Sequence, residues 1–413
     1  MRGVTFTTRG ALNKSALRQA NERLILNTIR QNPLVSRADI VRITGLAPSS
    51  VTYIVDRLFR NKFIREEEVE GPSQVGRRPT ALRLQADARM AVAVEVVKPE
   101  ARVVLSDLNG DIVRKKTVHW HPSHELFLDR IHRAIRSLTD ALPVDRVLGA
   151  GVGLPGTIDR ASGKVIAAEN FSWFGIDAGT LIRGQFAFPF YYENSAKLAA
   201  LAELWMSERE GRALRDFVFV EVRAGLGTGV IINGQIFQGA HAAAAEFGHT
   251  MLYPDGLKCS CGNTGCWEQY ASDIALCRIY SELSGKECSE SEQTGPSDIV
   301  RLAREGDPAA RGALQAVFRH VGLGIVNLVW ALDPEAIVVG DWLAEAWDMA
   351  EEPIWKVVRS RIAGYHLGDL RIMPSRTSTD DVLLGATALV LNRFFNSFDN
   401  GKPATGAQSV VMQ

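Results

Sequence analysis

The sequence predicts an α/β protein that begins with a small winged helix-turn-helix and continues as a larger, two-lobed body. Residues 1–85 hold 15 Lys and Arg against 7 Asp and Glu, a net +8, while the remaining residues hold 32 against 40, a net −8. Within the basic segment, two short helical patterns flank a glycine turn. Within the acidic body, a pattern of three strands, a helix and a strand occurs twice. A basic segment on an acidic body is typical of a nucleic-acid-binding unit joined to a different module.

Composition narrows the class of protein. A chain of 413 residues exceeds the size at which one hydrophobic core stops growing, so two or three domains are expected. Its 46% hydrophobic and 23% charged residues are ordinary for globular proteins. No apolar run approaches the roughly 18–20 residues of a membrane span, and the first residues lack the apolar core of a signal peptide. We therefore expect a cytoplasmic protein without a membrane partner.

The helix-turn-helix is predicted by SRADIVRITGLAPSSVTYIVDRLFRNKFI. Ser36 followed by Asp39 has the form of a capping box, Gly45 provides the turn, and Pro48 suits the first turn of a helix. A preceding helix is predicted to turn three apolar residues toward the core: Leu24, Ile25 and Ile29.

The second of these helices has the character of a recognition helix. One face carries apolar residues at helical spacing: Val51, Ile54, Val55 and Leu58. The opposite face carries small hydroxyls and then basic groups, which suits contact with base edges and phosphates in a major groove. The candidate DNA contacts on this helix are Ser49, Ser50, Thr52, Tyr53, Arg57 and Arg60.

A wing is predicted from FIREEEVEGPSQVGRRPTALRLQ, which reads as two strands around a Gly/Pro loop. Arg77 and Arg78 lie near its tip, where they could reach phosphates or a minor groove. Each piece alone is common in ordinary packing. Helix, helix-turn-helix and basic wing in this order predict that residues 1–85 bind a double-stranded DNA operator.

The body begins near Gln85 with three predicted strands, a helix from about Glu125 to Leu142 and the apolar strand VLGAGVGLPG. The order recurs from RDFVFVEV to AIVVG, which indicates two similar α/β lobes with a ligand cleft between them. Between two later strands lies GLGTG, residues 225–229. Its glycines could expose backbone N–H groups to an anion or could serve a tight hairpin.

Cysteines cluster in one region of the chain. The five are odd in number and form a poor disulfide framework: Cys259, Cys261, Cys266, Cys277 and Cys288. His249 followed by the first three of these offers one imidazole and three thiolates, the ligand set of tetrahedral zinc. Four protein ligands leave no position for water, so a structural Zn²⁺ is predicted. Cys277 and Cys288 lie outside the ligand spacing.

The run AEFGHTMLYPDGLKCSCGNTGCWEQYAS closely resembles the signature of the ROK family, which contains bacterial sugar kinases and sugar-responsive transcriptional repressors. Further matching motifs follow one another between residues 20 and 395: GVGLPGTID, AENFSWFG, YYENSAKLAALAE, GLGTGVIINGQIFQGA, DPEAIVVG and LLGATALVLN. The resemblance implies an actin-like, sugar-kinase-like body with a sugar bound in the cleft beside the zinc loop.

The same resemblance suggests a division of the body. Residues 86–193 would form the first lobe, completed by a C-terminal helix at 382–396. Residues 194–381 would form the second lobe, with the zinc loop 249–268 and an oligomerisation surface. We expect residues 397–413, which are small and polar, to be a disordered tail.

Sugar-binding residues are carried over position by position. Glu246 and His249 match the family's E-x-G-H, and Glu268 matches the glutamate that ends the cysteine loop. With two asparagines and the glycine of a P-G turn, the implied sugar contacts are Asn170, Asn194, Glu246, His249, Glu268 and Gly156. Carboxylates and amides discriminate sugars because a missing or inverted hydroxyl leaves one of them unpaired.

Departures from the kinase pattern imply that catalysis is lost. Where family kinases have Asn-Asp, with the aspartate as base, this chain has Asn194-Ser195, and serine is no base at neutral pH without a helper. The kinase D-x-G-G-T loop corresponds to EVVKP at 95–99, and a Gly-Gly pair to Gly340-Asp341. We therefore expect no catalytic residues and no phosphoryl transfer.

Taken together, these features predict a sugar-responsive transcriptional repressor that binds an inverted-repeat operator as a homodimer or a dimer of dimers. Two alternatives remain open. One is an active sugar kinase that carries a DNA-binding unit. The other is a ligand-blind regulator controlled by a protein partner, favoured by Ser195 because losing the aspartate also removes a sugar contact.

Overall fold

A computed structural model describes residues 14–68, 80–211, 214–240, 243–285, 295–377 and 380–397. Residues 14–68 and 80–84, here called the head, form a winged helix-turn-helix. Its elements are α1 (Lys14–Gln31), α2 (Arg37–Thr44), α3 (Pro48–Arg60), β1 (Ile64–Glu68) and β2 (Thr80–Leu84). β1 and β2 pair antiparallel. The predicted Arg77 and Arg78, Cys288 and the tail from 398 onward lie outside the described residues.

Local signals in the head act as predicted. Ser36 and Asp39 form a reciprocal capping box, and Gly45 ends α2 with a left-handed φ of 68°. All four predicted apolar residues of α3 are buried. On α1, Ile25 and Ile29 are buried, but Leu24 is 43% exposed and Leu26 takes the inner position. The packing of α1 on its neighbours rotates its apolar face by part of a turn from the predicted one.

The first lobe is built on a five-stranded sheet ordered β10-β6-β3-β4-β5. Its strands are β3 (Met90–Glu95), β4 (Glu100–Ser106), β5 (Ile112–His119), β6 (Val147–Leu154) and β10 (Phe190–Asn194), with helix α4 (His124–Thr139). A small sheet and a short helix follow β6: β7 (Thr157–Asp159), β8 (Lys164–Ala168), β9 (Trp173–Ile176) and α5 (Ala178–Arg183). The predicted three-strand meander, helix and apolar strand are confirmed.

The second lobe repeats this plan with a sheet ordered β13-β12-β11-β14-β15. Its strands are β11 (Phe217–Val222), β12 (Leu226–Ile232), β13 (Gln235–Ile236), β14 (Ala336–Val339) and β15 (Arg371–Pro374). The helices from here to the end of the described chain are α6 (Ser195–Arg209), α7 (Asp273–Ser284), α8 (Pro296–Glu305), α9 (Pro308–Leu332), α10 (Asp341–Glu345), α11 (Trp347–Arg359), α12 (Gly364–Leu367) and α13 (Asp381–Ser397).

Helices α6 and α13, here called the helix pair, pack on each other. α6 covers β11 and β12, and α13 covers β3 and β6. Glycines permit the close approach. A Cβ on Gly385 of α13 would lie 1.9 Å from the Leu198 carbonyl oxygen of α6, and one on Gly151 of β6 would lie 2.1 Å from the Ala386 carbonyl oxygen of α13. Such contacts leave the two helices no room to slide without disrupting both.

The GLGTG segment is explained largely by the same packing. Gly227 and Gly229 lie inside β12 under α6. A Cβ on Gly229 would lie 2.5 Å from the Ala196 carbonyl oxygen, and one on Gly227 would lie 2.8 Å from Ala196 Cβ. These two glycines make room for a helix, whereas Gly225 faces the cleft.

Within the described ranges, one helix, α9, passes a membrane-span test of length and composition. Of its most apolar 18-residue window, 61% is buried inside the structure. The burial matches that of a helix in a protein core.

Candidate functional site

The cysteine loop is a tight knuckle held by main-chain hydrogen bonds. The Gly265 N–H donates to the Leu257 carbonyl at 2.7 Å, and the Cys259 N–H donates to the Asn263 carbonyl at 2.8 Å. Gly265 has a φ of 75°, and a Cβ there would lie 1.6 Å from the Tyr253 carbonyl oxygen. Only glycine fits this position, and the turn that it permits brings the sulfur atoms together.

The four predicted metal ligands converge, with their ligand atoms all within 4.8 Å of one another: His249, Cys259, Cys261 and Cys266. Cys259 Sγ lies 3.7 Å from His249 Nδ1, and Cys261 Sγ lies 3.7 Å from Cys266 Sγ. In a tetrahedron with Zn–S bonds of about 2.3 Å, neighbouring ligands lie about 3.8 Å apart. Donor type and spacing therefore both suit a zinc-type ion. Cys277, outside this set, packs half-buried against the core of the second lobe.

Glu268 lies between the four candidate metal ligands and the cleft. Its Oε1 lies 2.9 Å from Cys259 Sγ and 3.5 Å from His249 Nδ1. Its Oε2 faces Gly225, where a Cβ would lie 3.1 Å from that oxygen and 3.8 Å from Asn170 Nδ2. Because Gly225 lacks a side chain, a space stays open where a carboxylate of the second lobe and an amide of the first lobe converge.

Glu246 faces the same region and directly precedes the short turn that ends at His249. The residue is solvent-exposed over much of its surface, but its carboxyl group sits among other ionisable groups. Partial burial raises the pKa of Glu246; nearby Glu268 and Glu169 act in the same direction, and Lys197 and His249 oppose it. Glu246 therefore lies among both acidic and basic side chains, which can all form hydrogen bonds.

Asn194 and Gly156 form a second group of candidate sugar contacts. The Asn194 amide nitrogen donates to the Gly156 carbonyl at 2.9 Å, and its amide oxygen accepts from the Ala196 N–H at 2.9 Å, which caps α6. Gly156 has a φ of 68°, and a Cβ there would lie 2.1 Å from the Ala167 carbonyl oxygen. An amide has two N–H groups and two lone pairs, so Asn194 keeps one of each for a ligand.

The outer face of α3 carries most of the candidate DNA contacts. Exposed residues are Ser49, Thr52, Tyr53 and Arg60, and Ser50 is half-exposed. Arg57 differs from the prediction, because its side chain is only 12% exposed and forms an ion pair with the buried Glu22 of α1. A buried carboxylate requires a cation, so Arg57 stabilises the packing of α3 on α1, and its contact with DNA stays a prediction.

Comparison with known proteins assigns the chain to a protein family. The sequence profile of the ROK family matches residues 91–393, and a winged helix-turn-helix DNA-binding profile matches residues 18–65. The chain belongs to the ROK family. It is 28% identical over 393 residues to a xylose repressor of Caldicellulosiruptor bescii, covering 92% of this chain and 97% of that one.

Solved structures agree with this ROK assignment. A crystal structure of a ROK family transcriptional regulator, homologous to the Escherichia coli Mlc protein, has a TM-score of 0.77 at 24% identity and covers 92% of this chain and 97% of its own. A ROK family glucokinase from Streptomyces griseus, in complex with glucose and AMPPNP, has a TM-score of 0.64 at 27% identity and covers 73% and 98%. The repressor-type ROK relatives span head and body, whereas the glucokinase accounts for less of this chain.

Two positions predicted from the sequence to depart from the kinase pattern, Glu95 and Asp341, meet at one arginine. Arg223 Nη1 lies 2.9 Å from Glu95 Oε1, and Arg223 Nε lies 2.5 Å from Asp341 Oδ1. Its Nη2 lies 3.2 Å from Asp381 Oδ1, and Nε lies 3.5 Å from Glu221 Oε1. This cleft cluster, Arg223 with its four carboxylates, joins the first lobe, the second lobe and α13.

The cleft cluster carries more acid than base. Burial raises the pKa of Glu221 to about 8 and that of Asp381 to about 7, although Arg223 opposes both shifts. Burial alone would lower the pKa of Arg223, but the surrounding carboxylates outweigh it and raise that pKa. Arg223 is thus shared among acids that resist ionising together, and Arg102 also pairs with Glu95.

Lys98, in the segment 95–99 predicted to correspond to the kinase D-x-G-G-T loop, is also engaged within the protein. Its Nζ donates to the Asn170 carbonyl at 2.8 Å and lies 4.3 Å from the Trp120 ring centroid and 5.0 Å from that of Phe171. The lysine holds the segment that presents Asn170 to the cleft, so it positions a candidate sugar contact.

Sequence reasoning missed Arg223 and a second interlobe contact. Arg160 Nε lies 2.7 Å from Glu193 Oε2, and Gln238 of the second lobe donates to the same oxygen at 3.0 Å. Buried Lys197, next to Glu193 and Glu246, was missed as well. A lysine inside the largely apolar helix sequence SAKLAALAELWM was the available signal for Lys197. Three of the partners of Arg223, namely Glu95, Asp341 and Asp381, are too far along the chain to be recognised by spacing.

Proposed function

We propose that this ROK protein is a sugar-responsive DNA-binding repressor of carbohydrate-utilisation genes that binds a sugar in its cleft without phosphorylating it. The observation that carries the proposal is the pairing of a winged helix-turn-helix head with a cleft in which Glu268, Asn170 and Gly225 converge beside the cysteine loop. Similarity to xylose repressors over both head and body supports it.

Chemistry in the cleft favours a neutral polyhydroxyl ligand. Glu246 and Glu268 offer carboxylate acceptors, and Asn170 and Asn194 offer amides that both donate and accept. Vicinal hydroxyls of a sugar can satisfy such groups in pairs, and an epimer would leave one unpaired. The proposed sugar contacts are therefore those predicted from the sequence: Asn170, Asn194, Glu246, His249, Glu268 and Gly156.

A bound Zn²⁺ would have a structural role in this proposal. His249, Cys259, Cys261 and Cys266 would hold the ion with no position left for water. The protein supplies the rest: the knuckle fixes Glu268, whose Oε1 faces the cluster while its Oε2 faces the cleft.

The absence of phosphoryl transfer rests on charge and on the missing base. Ser195 occupies the position of the kinase aspartate and lies at the start of α6. Arg223 is already paired with the acidic groups of the cleft cluster and is therefore not available to neutralise the phosphates of a nucleotide. Phosphoryl transfer depends on positioning and neutralising such phosphates, so we expect no kinase activity.

The proposal predicts the effect of removing either carboxylate from the pocket. Glu246→Ala and Glu268→Ala should keep sugar-free operator binding within about twofold and should weaken the sugar response at least about tenfold, the cost of a lost charged hydrogen bond. Electrophoretic mobility shift with D-xylose and D-glucose titrations measures both quantities.

Glu305→Ala, which removes an exposed carboxylate paired with Arg301, is the matched control and should behave as the wild type. A normal sugar response in both pocket variants would refute the pocket assignment. ATP-dependent phosphorylation of either sugar would instead support the kinase alternative.

A further inference from the structure

Two helices run from the cleft to the head. α6 starts at Asn194, which caps it, and α13 starts at Asp381, which binds Arg223. A 15-residue helix such as α6 is about 22 Å long. The two helices are in close contact, with Gly385 of α13 against Leu198 of α6, so we expect a shift imposed at their cleft ends to move their other ends.

Among the head residues that meet those other ends, Arg30 of α1 contacts both helices. The Arg30 guanidinium lies 4.7 Å from the ring centroid of Trp205 on α6 and 5.0 Å from that of Phe395 on α13. Arg30 Nη2 also lies 3.9 Å from Glu208 Oε2. One cation therefore contacts both helices at once.

The environment of Arg30 makes its position sensitive to small movements. Its side chain is only 11% exposed, and its Nε is buried without a hydrogen-bond partner. A desolvated guanidinium depends on aromatic faces and on nearby acid for compensation. A displacement of Trp205 or Phe395 would therefore change the energy of the head in its present orientation.

We propose that Arg30 is the positioning residue through which the sugar cleft sets the orientation of the DNA-binding head. The helix pair carries the displacement, and the stacked cation converts it into a preferred placement of α1. Asn27, one turn earlier on α1, donates to the Phe395 carbonyl at 3.3 Å and supports the same joint. This inference rests on the proposed sugar response.

The test replaces the cation but keeps its bulk. In full-length Arg30→Met, the DNA dissociation constant is measured without sugar and with saturating D-xylose or D-glucose, whichever acts on the wild type. Coupling between two sites is commonly about 5–150-fold. We expect it to fall below about threefold in Arg30→Met, with the sugar dissociation constant of the DNA-free protein within about twofold of wild type.

Two further variants separate a positioning role from a structural one. Arg30→Lys keeps the charge but loses the planar stack, and it should recover part of the coupling. Asn27→Ala should also reduce the coupling while leaving Arg30 in place. Arg133→Met, on an exposed ion pair of α4, is the matched control and should keep wild-type coupling.

Reciprocity provides an internal check, because the sugar must bind free and DNA-bound protein with affinities that differ by the same factor. Wild-type coupling in both Arg30→Met and Asn27→Ala would overturn the inference and leave the proposed function intact. A wild-type protein whose DNA affinity no sugar changes would overturn the proposed function and this inference with it.

Discussion

At the scale of single residues, the cleft is marked by one arginine that is shared among several buried carboxylates. Arg223 is shared among four acids, and Asp341 Oδ2 and Asp381 Oδ2 are buried without hydrogen-bond partners. Such a cluster costs stability when all its acids are ionised, because burial favours the neutral form. The stability of the body should therefore depend on pH near neutrality.

Asp273, at the start of α7, lies outside the cleft cluster. The effect of its raised pKa on stability can therefore be measured separately. Burial raises the pKa of Asp273 from 3.8 to about 7, although a hydrogen bond from Trp342 opposes the shift. The folded protein thus holds the proton more tightly than the unfolded chain, and this stabilisation is full below about pH 4 and lost as the pH rises to about 7. Asp273→Asn should therefore gain stability relative to wild type between pH 4 and 7, with a constant difference above pH 8.

Urea unfolding of both proteins at several pH values measures that difference. Trp342→Phe removes the opposing hydrogen bond and should extend the pH-dependent loss to higher pH. A stability difference between Asp273→Asn and wild type that stays the same at every pH would contradict the assignment of a raised pKa.

At the scale of elements, the sequence predicted those features that local signals determine. The capping box at Ser36, the turn at Gly45 and the alternation of strands and helices in both lobes follow from short-range chemistry. The inward position of Arg57 and the exposure of Leu24 do not, because the face that a helix buries depends on its neighbours. Nor could spacing along the chain reveal the role of Arg223, because three of its four partners come from distant segments.

The candidate site was predictable to a similar extent. A compact ligand pattern predicted that His249 and the three cysteines converge, and in the structure their ligand atoms lie within 4.8 Å of one another. The family resemblance placed Glu268 and Asn170, which the fold brings together at Gly225. Asn194 both caps α6 and donates to the Gly156 carbonyl. The second contact could not be predicted, because the two residues are distant in sequence.

A substitution in the cysteine loop should abolish the sugar response and leave DNA binding intact. Cys266→Ser removes a buried ligand, so bound zinc should fall from about one ion per chain to near zero, as expected for a four-ligand structural site. Because the loop fixes Glu268, the sugar response should be lost, while sugar-free operator binding should persist. Metal analysis and operator titration of the purified variant provide both readouts.

Cys277→Ser, which changes a cysteine outside the ligand cluster, is the control and should retain zinc. A Cys266→Ser protein that keeps a full complement of zinc would contradict the ligand assignment. A variant that loses zinc and responds normally to sugar would contradict the link between loop and pocket.

At the scale of the whole molecule, head and lobes are joined by contacts that meet along the helix pair. The cleft cluster ties both lobes to the start of α13, Gln238 ties the second lobe to Glu193, and Arg30 ties the head to the far ends of both helices. A ligand that changes the relation of the lobes can alter DNA binding only by its differential affinity for the two arrangements.

The most direct test is a mobility shift on the DNA upstream of the gene for this protein, at fixed moderate salt because salt alone changes such affinities. The titration uses D-xylose, D-glucose and a panel of other pentoses, hexoses and N-acetylated sugars. We predict a specific complex whose dissociation constant one sugar changes by at least about fivefold. A specific complex that no sugar alters would contradict the proposed sugar response and favour control by a protein partner.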